Sequence, residues 1–273
     1  MKDISFGQYY PTKSFVHKMD SRVKILLTIA YIVAVFLVKS TPEYYFLGFA
    51  ACFVFLIVAT IFSHIPFLRM LKSIKAIIFF VLLSAILQIF FNKSGTPLWE
   101  NGFITDAGLY SAAFITVRII LVVMGASLLT FTTSPVEIAD GIESLLTPLK
   151  IIKFPVHEFA LVMSIALRFI PTLLDETDRI IKAQKARGAD FESGNVIGRI
   201  KALVPVLIPL LISSFRRADE LADAMDARCY SGSKNRTRYK KMKLSFRDLI
   251  GTILIAGLIV GVVMLNGVLG VAV

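Results

Sequence analysis

Long, almost uncharged apolar stretches recur through this sequence, and they constrain its fold more than any other feature. Five of them approach or reach the roughly 20 residues that cross a bilayer as a helix; they cover residues 23–38, 44–62, 76–91, 109–131 and 249–273. A helix is favoured in lipid because it satisfies its own backbone hydrogen bonds. Hydrophobic residues make up 56% of the chain. We therefore predict an all-α integral membrane protein with about five transmembrane helices.

The charge distribution predicts how the chain lies in the membrane. Of its 30 Lys and Arg residues, 27 fall in the N-terminal tail, in the loop around Lys72 and in residues 132–248. Basic residues accumulate on the cytoplasmic side of membrane proteins, so we predict a cytoplasmic N-terminus and an external Val273. The net charge of +11 is explained by this topology and by attraction to anionic lipid. Nucleic-acid binding is therefore not expected.

Composition divides the chain into three parts. Residues 1–131 hold the tail and the first four predicted transmembrane helices, 132–248 form a charged cytoplasmic or inner-leaflet segment of about three helices, and 249–273 form the last transmembrane helix. The middle part opens with Ser134-Pro135, which predicts a helix start, since serine is a good cap and proline suits the first helical position. That helix should be broken by Pro148.

Two long arms in the middle part share one plan and end alike. They cover residues 157–186 and 200–227, and each runs from an apolar half containing Ile-Pro to a charged half. The endings are Ala186, Arg187 and Gly188 in one arm and Ala227, Arg228 and Cys229 in the other. One such ending is an ordinary helix stop, because a cation complements the helix dipole and glycine commonly follows. Two matching endings favour contact with a partner outside the lipid.

The apolar halves of the arms allow two arrangements in the membrane. Residues 159–174 and 200–215 could form an extra pair of transmembrane helices, or they could lie in the inner leaflet against the bundle. Arg168 in the first half, and Pro205 and Pro209 in the second, favour the inner-leaflet arrangement, because charges and helix breakers are costly in lipid. Arg168, Pro171 and Pro209 are expected to be structural residues of the arms. Arg168 is expected to hold this part of the chain together.

The motifs along the chain resemble one family of transport proteins. They are Gly7-Gln8-Tyr9, His17-Lys18-Met19-Asp20-Ser21-Arg22-Val23-Lys24, Thr132-Thr133-Ser134-Pro135, Leu167-Arg168-Phe169-Ile170-Pro171, Ala183-Gln184-Lys185-Ala186-Arg187-Gly188 and Ala224-Met225-Asp226-Ala227-Arg228. With these motifs the chain is similar, over nearly all its length, to the transmembrane T component (EcfT/CbiQ-like) of energy-coupling factor transporters, a branch of the ATP-binding-cassette importers. Cys229 departs from the family pattern, in which glycine is commoner.

This resemblance implies a noncatalytic subunit in the plasma membrane of a prokaryote. Its expected partners are two cytoplasmic ATPases, each taking one of the arginines Arg187 and Arg228, and a membrane-embedded substrate-binding S component. ATP and Mg²⁺ are expected on the ATPases and no cofactor on this chain, which contains no G-x-x-x-x-G-K-[ST] phosphate-binding loop.

Alternatives remain for the cargo and for the class of protein. The Gly7-Gln8-Tyr9 opening resembles the shared modules that serve several vitamin-specific S components, so vitamins are the expected cargo. A T component of a dedicated cobalt or nickel importer is the first alternative. A membrane-bound enzyme, or a membrane scaffold without a transport role, is an alternative of a different class.

The remaining polar and small residues in apolar segments have structural and functional interpretations. Arg118 lies about mid-span, where a charge usually faces the bundle interior, a polar partner or a water-filled site. Thr116 or Asp106 could be a structural partner, and a direct role in transport is the alternative. The three histidines are isolated, so a metal site in this chain is not expected. Cys52 and Cys229 lie in different environments and should not pair. The spacing of Gly257 and Gly261 predicts close helix packing within the chain.

Overall fold

The protein is helical wherever its structure is described. The computed structural model describes residues 9–12, 14–39, 45–92, 96, 105–152, 155–189, 191, 196–230, 232 and 244–270. Within these ranges lie the helices α1 Ser21–Leu37, α2 Tyr45–Ser63, α3 Phe67–Lys75, α4 Ile78–Phe91, α5 Asp106–Thr132, α6 Pro135–Leu146, α7 Val156–Ala186, α8 Val196–Ala227 and α9 Phe246–Gly270, with a 3-10 helix at Thr147–Ile152. No β-strand occurs among them, which confirms the all-α prediction. Gly7 and Gln8 lie outside the described residues.

Several of the helices are long and apolar enough to cross a membrane. Among the described residues these are Phe46–Ser63 in α2, Asp106–Thr132 in α5, Val156–Ala186 in α7 and Phe246–Asn266 in α9. The helices α3 and α4 form a fifth candidate as one broken span, bent by 62°. The chain is therefore a multi-pass membrane protein. The inner-leaflet position of residues 159–174 stays a prediction, because α7 has the length of a span.

The chain forms two compact units. The membrane unit comprises residues 7–141 and 242–273, and the arm unit comprises 1–6 and 142–241. In the membrane unit, α5 packs against α1, α2, α3 and α4, while α1 also packs against α9. Its buried core includes Tyr31, Val35, Phe49, Leu56, Phe114, Leu121 and Met124.

Close approach of α1 to α5 depends on one small residue. A Cβ atom added at Gly125 would lie 2.4 Å from the Cε1 atom of Tyr31. Such small-residue contacts bring membrane helices together, because lipid provides no hydrophobic drive for association. Gly257 and Gly261 behave differently, since a Cβ at either would meet no atom within 4 Å. The prediction that they pack closely within the chain is wrong for its described part.

The start of α6 follows from its sequence. The N–H of Glu137 donates to the Ser134 hydroxyl oxygen at 3.3 Å, and the N–H of Ser134 donates to a carboxylate oxygen of Glu137 at 3.3 Å. This reciprocal capping box, with Pro135 as the first helical residue, confirms the predicted helix start. The helix ends at Leu146, and the 3-10 helix that follows contains Pro148.

In the arm unit, α7 and α8 are long helices that pack against each other. They run 31 and 32 residues, and both continue through their internal prolines. Glu176 of α7 accepts hydrogen bonds from the Ser213 hydroxyl and from Arg217, whose Nη2 lies 2.7 Å from Oε2. This polar link fixes the two arms to each other near the start of their charged halves.

Candidate functional site

The end of α7 is a complete Schellman motif. The N–H of Ala189 donates to the carbonyl of Gln184 at 3.0 Å, and the N–H of Gly188 donates to the carbonyl of Lys185 at 3.0 Å. Gly188 has a φ of 88°, in the left-handed region where glycine carries no steric penalty. Arg187 is consequently the C-cap residue, with its own N–H bonded to the carbonyls of Ala183 and Gln184.

The end of α8 repeats the same geometry. The N–H of Tyr230 donates to the carbonyl of Met225 at 3.0 Å, and the N–H of Cys229 donates to the carbonyl of Asp226 at 2.8 Å. Cys229 has a φ of 57°, so a residue with a side chain occupies the left-handed position. Arg228 is thereby placed in the same C-cap position as Arg187.

The surroundings of the two arginines suit contact with another molecule. Ala186, Arg187 and Gly188 are exposed, as are Ala227, Arg228 and Cys229. We call these two triplets the arm tips. The Schellman bonds fix the backbone from which each guanidinium extends, and the flanking small residues leave it accessible. Each tip can therefore present up to five N–H donors to a carboxylate or carbonyl surface.

The apolar halves of both arms present large side chains at the surface of the arm unit. On α8, Leu203, Leu207 and Leu211 recur at intervals of four and are 45%, 57% and 58% exposed, and Val204, Ile208, Ile212 and Phe215 are exposed beside them. Arg168, Pro171 and Pro209 are also exposed. Among the described side chains no contact of Arg168 appears, so its structural role stays a prediction.

The charged halves of the arms are solvated, and an ion pair joins them. Asp219, Asp223 and Asp226 are exposed. Within the described part of the chain, the ion pair that joins the arms is Glu176 with Arg217.

Arg118 has partners that the sequence did not indicate. Its Nη2 donates to the carbonyl of Val38 at 2.7 Å, and its guanidinium carbon lies 4.3 Å from the centroid of the Phe114 ring. Val38 is the C-cap of α1. Asn266 of α9 donates to the neighbouring carbonyl of Leu37 at 2.8 Å. Arg118 therefore completes the end of α1, and neither Thr116 nor Asp106 is its hydrogen-bond partner.

A polar cluster at the opposite end of α1 accounts for several residues of the motif at positions 17–24. Lys24 is only 5% exposed, and its ammonium donates to the carbonyls of His17 at 3.0 Å and Thr132 at 3.1 Å. Asp248 is 3% exposed, and its carboxylate accepts from the N–H of Asp20 at 2.9 Å and of Ser245 at 2.6 Å. This N-terminal polar cluster joins α1, α5 and α9.

His17 belongs to the same cluster. One ring nitrogen lies 2.6 Å from the Ser14 hydroxyl and the other 2.9 Å from the carbonyl of Tyr10. Burial lowers the pKa of the imidazole below its ordinary value, and the nearby positive charge of Lys24 acts in the same direction. His17 is therefore a structural residue in its neutral form. The described residues contain no group of three His, Cys, Asp or Glu side chains that could hold a metal ion.

Sequence reasoning missed the roles of Lys24, Asp248 and Asn266. Lys24 lies in the motif at residues 17–24. A lysine at the start of an apolar segment is a signal from which its buried role could have been predicted. Asp248 bonds to a residue 228 positions earlier in the chain. Asn266 reaches back by 229 positions, and no local pattern marks either contact.

Comparison with known proteins identifies the relatives of this chain. A family model described as CbiQ, cobalt transport protein, matches residues 12–239. The chain is 51% identical over 256 residues to the energy-coupling factor transporter transmembrane protein EcfT of Clostridium kluyveri, covering 93% of each chain. It is 50% identical over 254 residues to the protein of that name from Ruminiclostridium cellulolyticum, with 92% and 93% coverage. With that of Bacillus subtilis it shares 43% identity over 264 residues, with 95% and 98% coverage.

Proposed function

This chain belongs to the family of transmembrane components of energy-coupling factor transporters, and from that membership we propose that it transmits movement from two partner ATPases to a separate S component. The chain is noncatalytic in this proposal. ATP and Mg²⁺ bind to the partner subunits, in agreement with the absence of a G-x-x-x-x-G-K-[ST] loop from the sequence.

The observation that carries the proposal is the matched geometry of the two arm tips. Both arms end in the same hydrogen-bonding pattern, with an exposed arginine at the C-cap. A guanidinium on a fixed helix end can enter an acidic groove and make several charge-assisted hydrogen bonds. Arg187 and Arg228 would each dock into one ATPase, so that rotation of the ATPase pair turns the two arms.

The exposed apolar halves of the arms support contact with a membrane-embedded partner. Leu207 and Leu211 on α8, and Val162 on α7, are each more than half exposed. Such a surface is stable only against lipid or another apolar protein. We assign it to the S component, which would move as the arms move. The link from Glu176 to Arg217 would make the two arms respond together.

The orientation follows from charge. With 27 of the 30 basic residues in the tail, the loop around Lys72 and residues 132–248, the positive-inside rule favours a cytoplasmic N-terminus. The arm tips then face the compartment that contains ATP. The proposed location is the plasma membrane.

The proposed cargo is a micronutrient, and vitamins are favoured over cobalt or nickel. The support is the resemblance of the Gly7-Gln8-Tyr9 opening to the shared modules that serve several vitamin-specific S components. In this proposal the chain is a shared module, and selectivity would reside in the S component. Uptake of cobalt alone, with no vitamin-specific S component bound, would favour the dedicated importer.

Co-purification tests the proposal. The chain, carrying an affinity tag at its C-terminus, should bring down two ATPase subunits from a mild detergent extract of the cells that produce it. A monodisperse preparation that contains the chain without ATPases would contradict the transporter proposal. If the chain were instead a membrane-bound enzyme, its activity would persist when both ATPases are absent.

A further inference from the structure

A cavity of about 310 Å³ opens in the membrane unit. Its walls come from α1, α2, α5 and α9, and they include the side chains of Leu27, Phe55, Leu56, Leu128 and Ile255. All four helices belong to the bundle that the membrane surrounds. The space is as large as about ten water molecules in bulk liquid, and its lining is almost entirely apolar.

The polar side chains in the lining already donate hydrogen bonds to backbone carbonyls. Lys24, Thr28 and Thr132 each donate to backbone carbonyls, at 3.0, 2.9 and 2.8 Å for their shortest bonds. The Tyr31 hydroxyl points to the carbonyl of Cys52 at 3.5 Å. A polar solute would therefore find few free hydrogen-bond donors in the lining, whereas an apolar occupant needs none.

A cation lies at one edge of this cavity. Arg247 is in the first turn of α9, and the residues three, four and seven positions later, Ile250, Gly251 and Leu254, line the cavity. Arg247 thus begins the helix face that borders it. Its guanidinium carbon lies 5.6 Å from the centroid of Phe15, another lining residue. Among the described residues Arg247 has no carboxylate within ion-pair distance.

We propose that the cavity holds one acyl chain of an anionic phospholipid whose phosphate pairs with Arg247. Lipid tails are the apolar molecules that surround this bundle, and an acyl chain fits where a helix of about 10 Å diameter does not. The cation at the edge supplies charge complementarity for a phosphate at headgroup depth. The bound lipid then bridges α9 to α1 and α2, and stabilises the bundle by mass action.

Native mass spectrometry of the purified full-length protein tests the site. The protein is delipidated and then incubated with equal amounts of phosphatidylglycerol and phosphatidylcholine. We expect one retained phosphatidylglycerol per chain, favoured over phosphatidylcholine by about fivefold, as one basic residue near a membrane surface provides. Arg247→Ala should abolish this preference. Ala59→Trp, which fills the cavity from α2, should lower retention of both lipids severalfold.

Matched controls separate this site from general effects on the protein. Arg69→Ala removes another guanidinium stacked on an aromatic ring, that of Tyr10 at 4.2 Å. Ala113→Trp adds the same bulk at an exposed position of α5. Neither should change retention or preference. If Ala59→Trp does not fold, Ala59→Leu provides a smaller filling change.

Each of the following results would overturn the proposal. They are the absence of a retained lipid, a wild-type preference for phosphatidylglycerol in Arg247→Ala, and wild-type lipid retention in Ala59→Trp. Losses in Arg69→Ala and Ala113→Trp as large as those in the site variants would also overturn it. Occupation of the site by a co-purified protein that lipid does not displace would also contradict it.

Discussion

Gly188 and Cys229 occupy the same left-handed backbone position, each one residue beyond the arginine that ends its arm. Their φ angles are 88° and 57°, and the same pair of Schellman hydrogen bonds surrounds each. The likeness of the two arms therefore extends from sequence to backbone geometry. It also means that one tip contains a residue suited to its conformation and the other does not.

Exchange of these residues should change the stability of the tips in opposite directions. Cys229→Gly should stabilise the end of α8 by about 1 kcal/mol, and Gly188→Ala should destabilise the end of α7 by about the same amount, because only glycine adopts this conformation without strain. A Cβ at Gly188 would meet no atom within 4 Å, so the effect isolates the backbone. Hydrogen exchange of the Tyr230 and Ala189 amides measures it. Equal exchange in variant and wild type would refute the strain argument.

Charge reversal at both tips should uncouple transport. Arg187→Glu combined with Arg228→Glu should release the ATPases or leave ATP hydrolysis without uptake, since each arginine would face an acidic surface with a negative charge. Uptake and hydrolysis in reconstituted vesicles, together with co-purification, are the measurements. Arg179→Glu combined with Arg216→Glu is the matched control, because both residues are exposed on the same arms away from the tips. Normal ATP-driven uptake in the tip variant would eliminate the coupling role.

Loss of the ion pair between the arms should broaden the range of distances between α7 and α8 with little loss of stability. Arg217→Met removes the ion pair with Glu176, and the expected change is below about 1 kcal/mol because both side chains are partly exposed. Spin labels on α7 and α8 should report a broader distance distribution. Arg216→Met, at the exposed neighbouring position, is the control. An unchanged distribution would mean that packing alone holds the arms.

Removal of the Asp248 carboxylate should destabilise the membrane unit. Asp248→Ala leaves the N–H groups of Asp20 and Ser245 without their acceptor, which should cost about 2–3 kcal/mol because the site is buried. The thermal unfolding midpoint in detergent measures the loss. Asp223→Ala, at an exposed position of α8, should leave the midpoint unchanged. A similar midpoint for both variants would argue that the cluster contributes nothing.

His17 should make stability depend on pH. Its pKa is lower in the folded state than the ordinary 6.5, chiefly because of burial, so the unfolded chain takes up the proton first as the pH falls. The contribution is fully present above the unfolded pKa, and stability decreases below about pH 6.5 until the folded pKa is passed. Unfolding midpoints between pH 8 and 5 should therefore fall in wild type and fall less in His17→Asn. His64→Asn, at an exposed residue, should retain the wild-type slope.

Local signals in the sequence predicted much of the fold and the form of the arm tips. The first arm was expected over residues 157–186 and forms α7 at Val156–Ala186. The cap at Ser134 was predicted because it depends only on residues three positions apart. Contacts between distant segments were not predicted. Arg118 bonds to Val38, 80 positions away, although the sequence directed attention to residues near Arg118. Such partners depend on which helices become neighbours, and periodicity does not specify this.

The end of α1 has a consequence for how the protein fits its bilayer. At 17 residues the helix is shorter than the usual hydrocarbon thickness requires. A short helix normally thins the surrounding bilayer or draws its last carbonyls towards the headgroup water. Here the carbonyls of Leu37 and Val38 accept hydrogen bonds from Asn266 and Arg118. The neighbouring helices thus supply the hydrogen-bond donors that lipid lacks, so these two carbonyls at the end of α1 are satisfied without water.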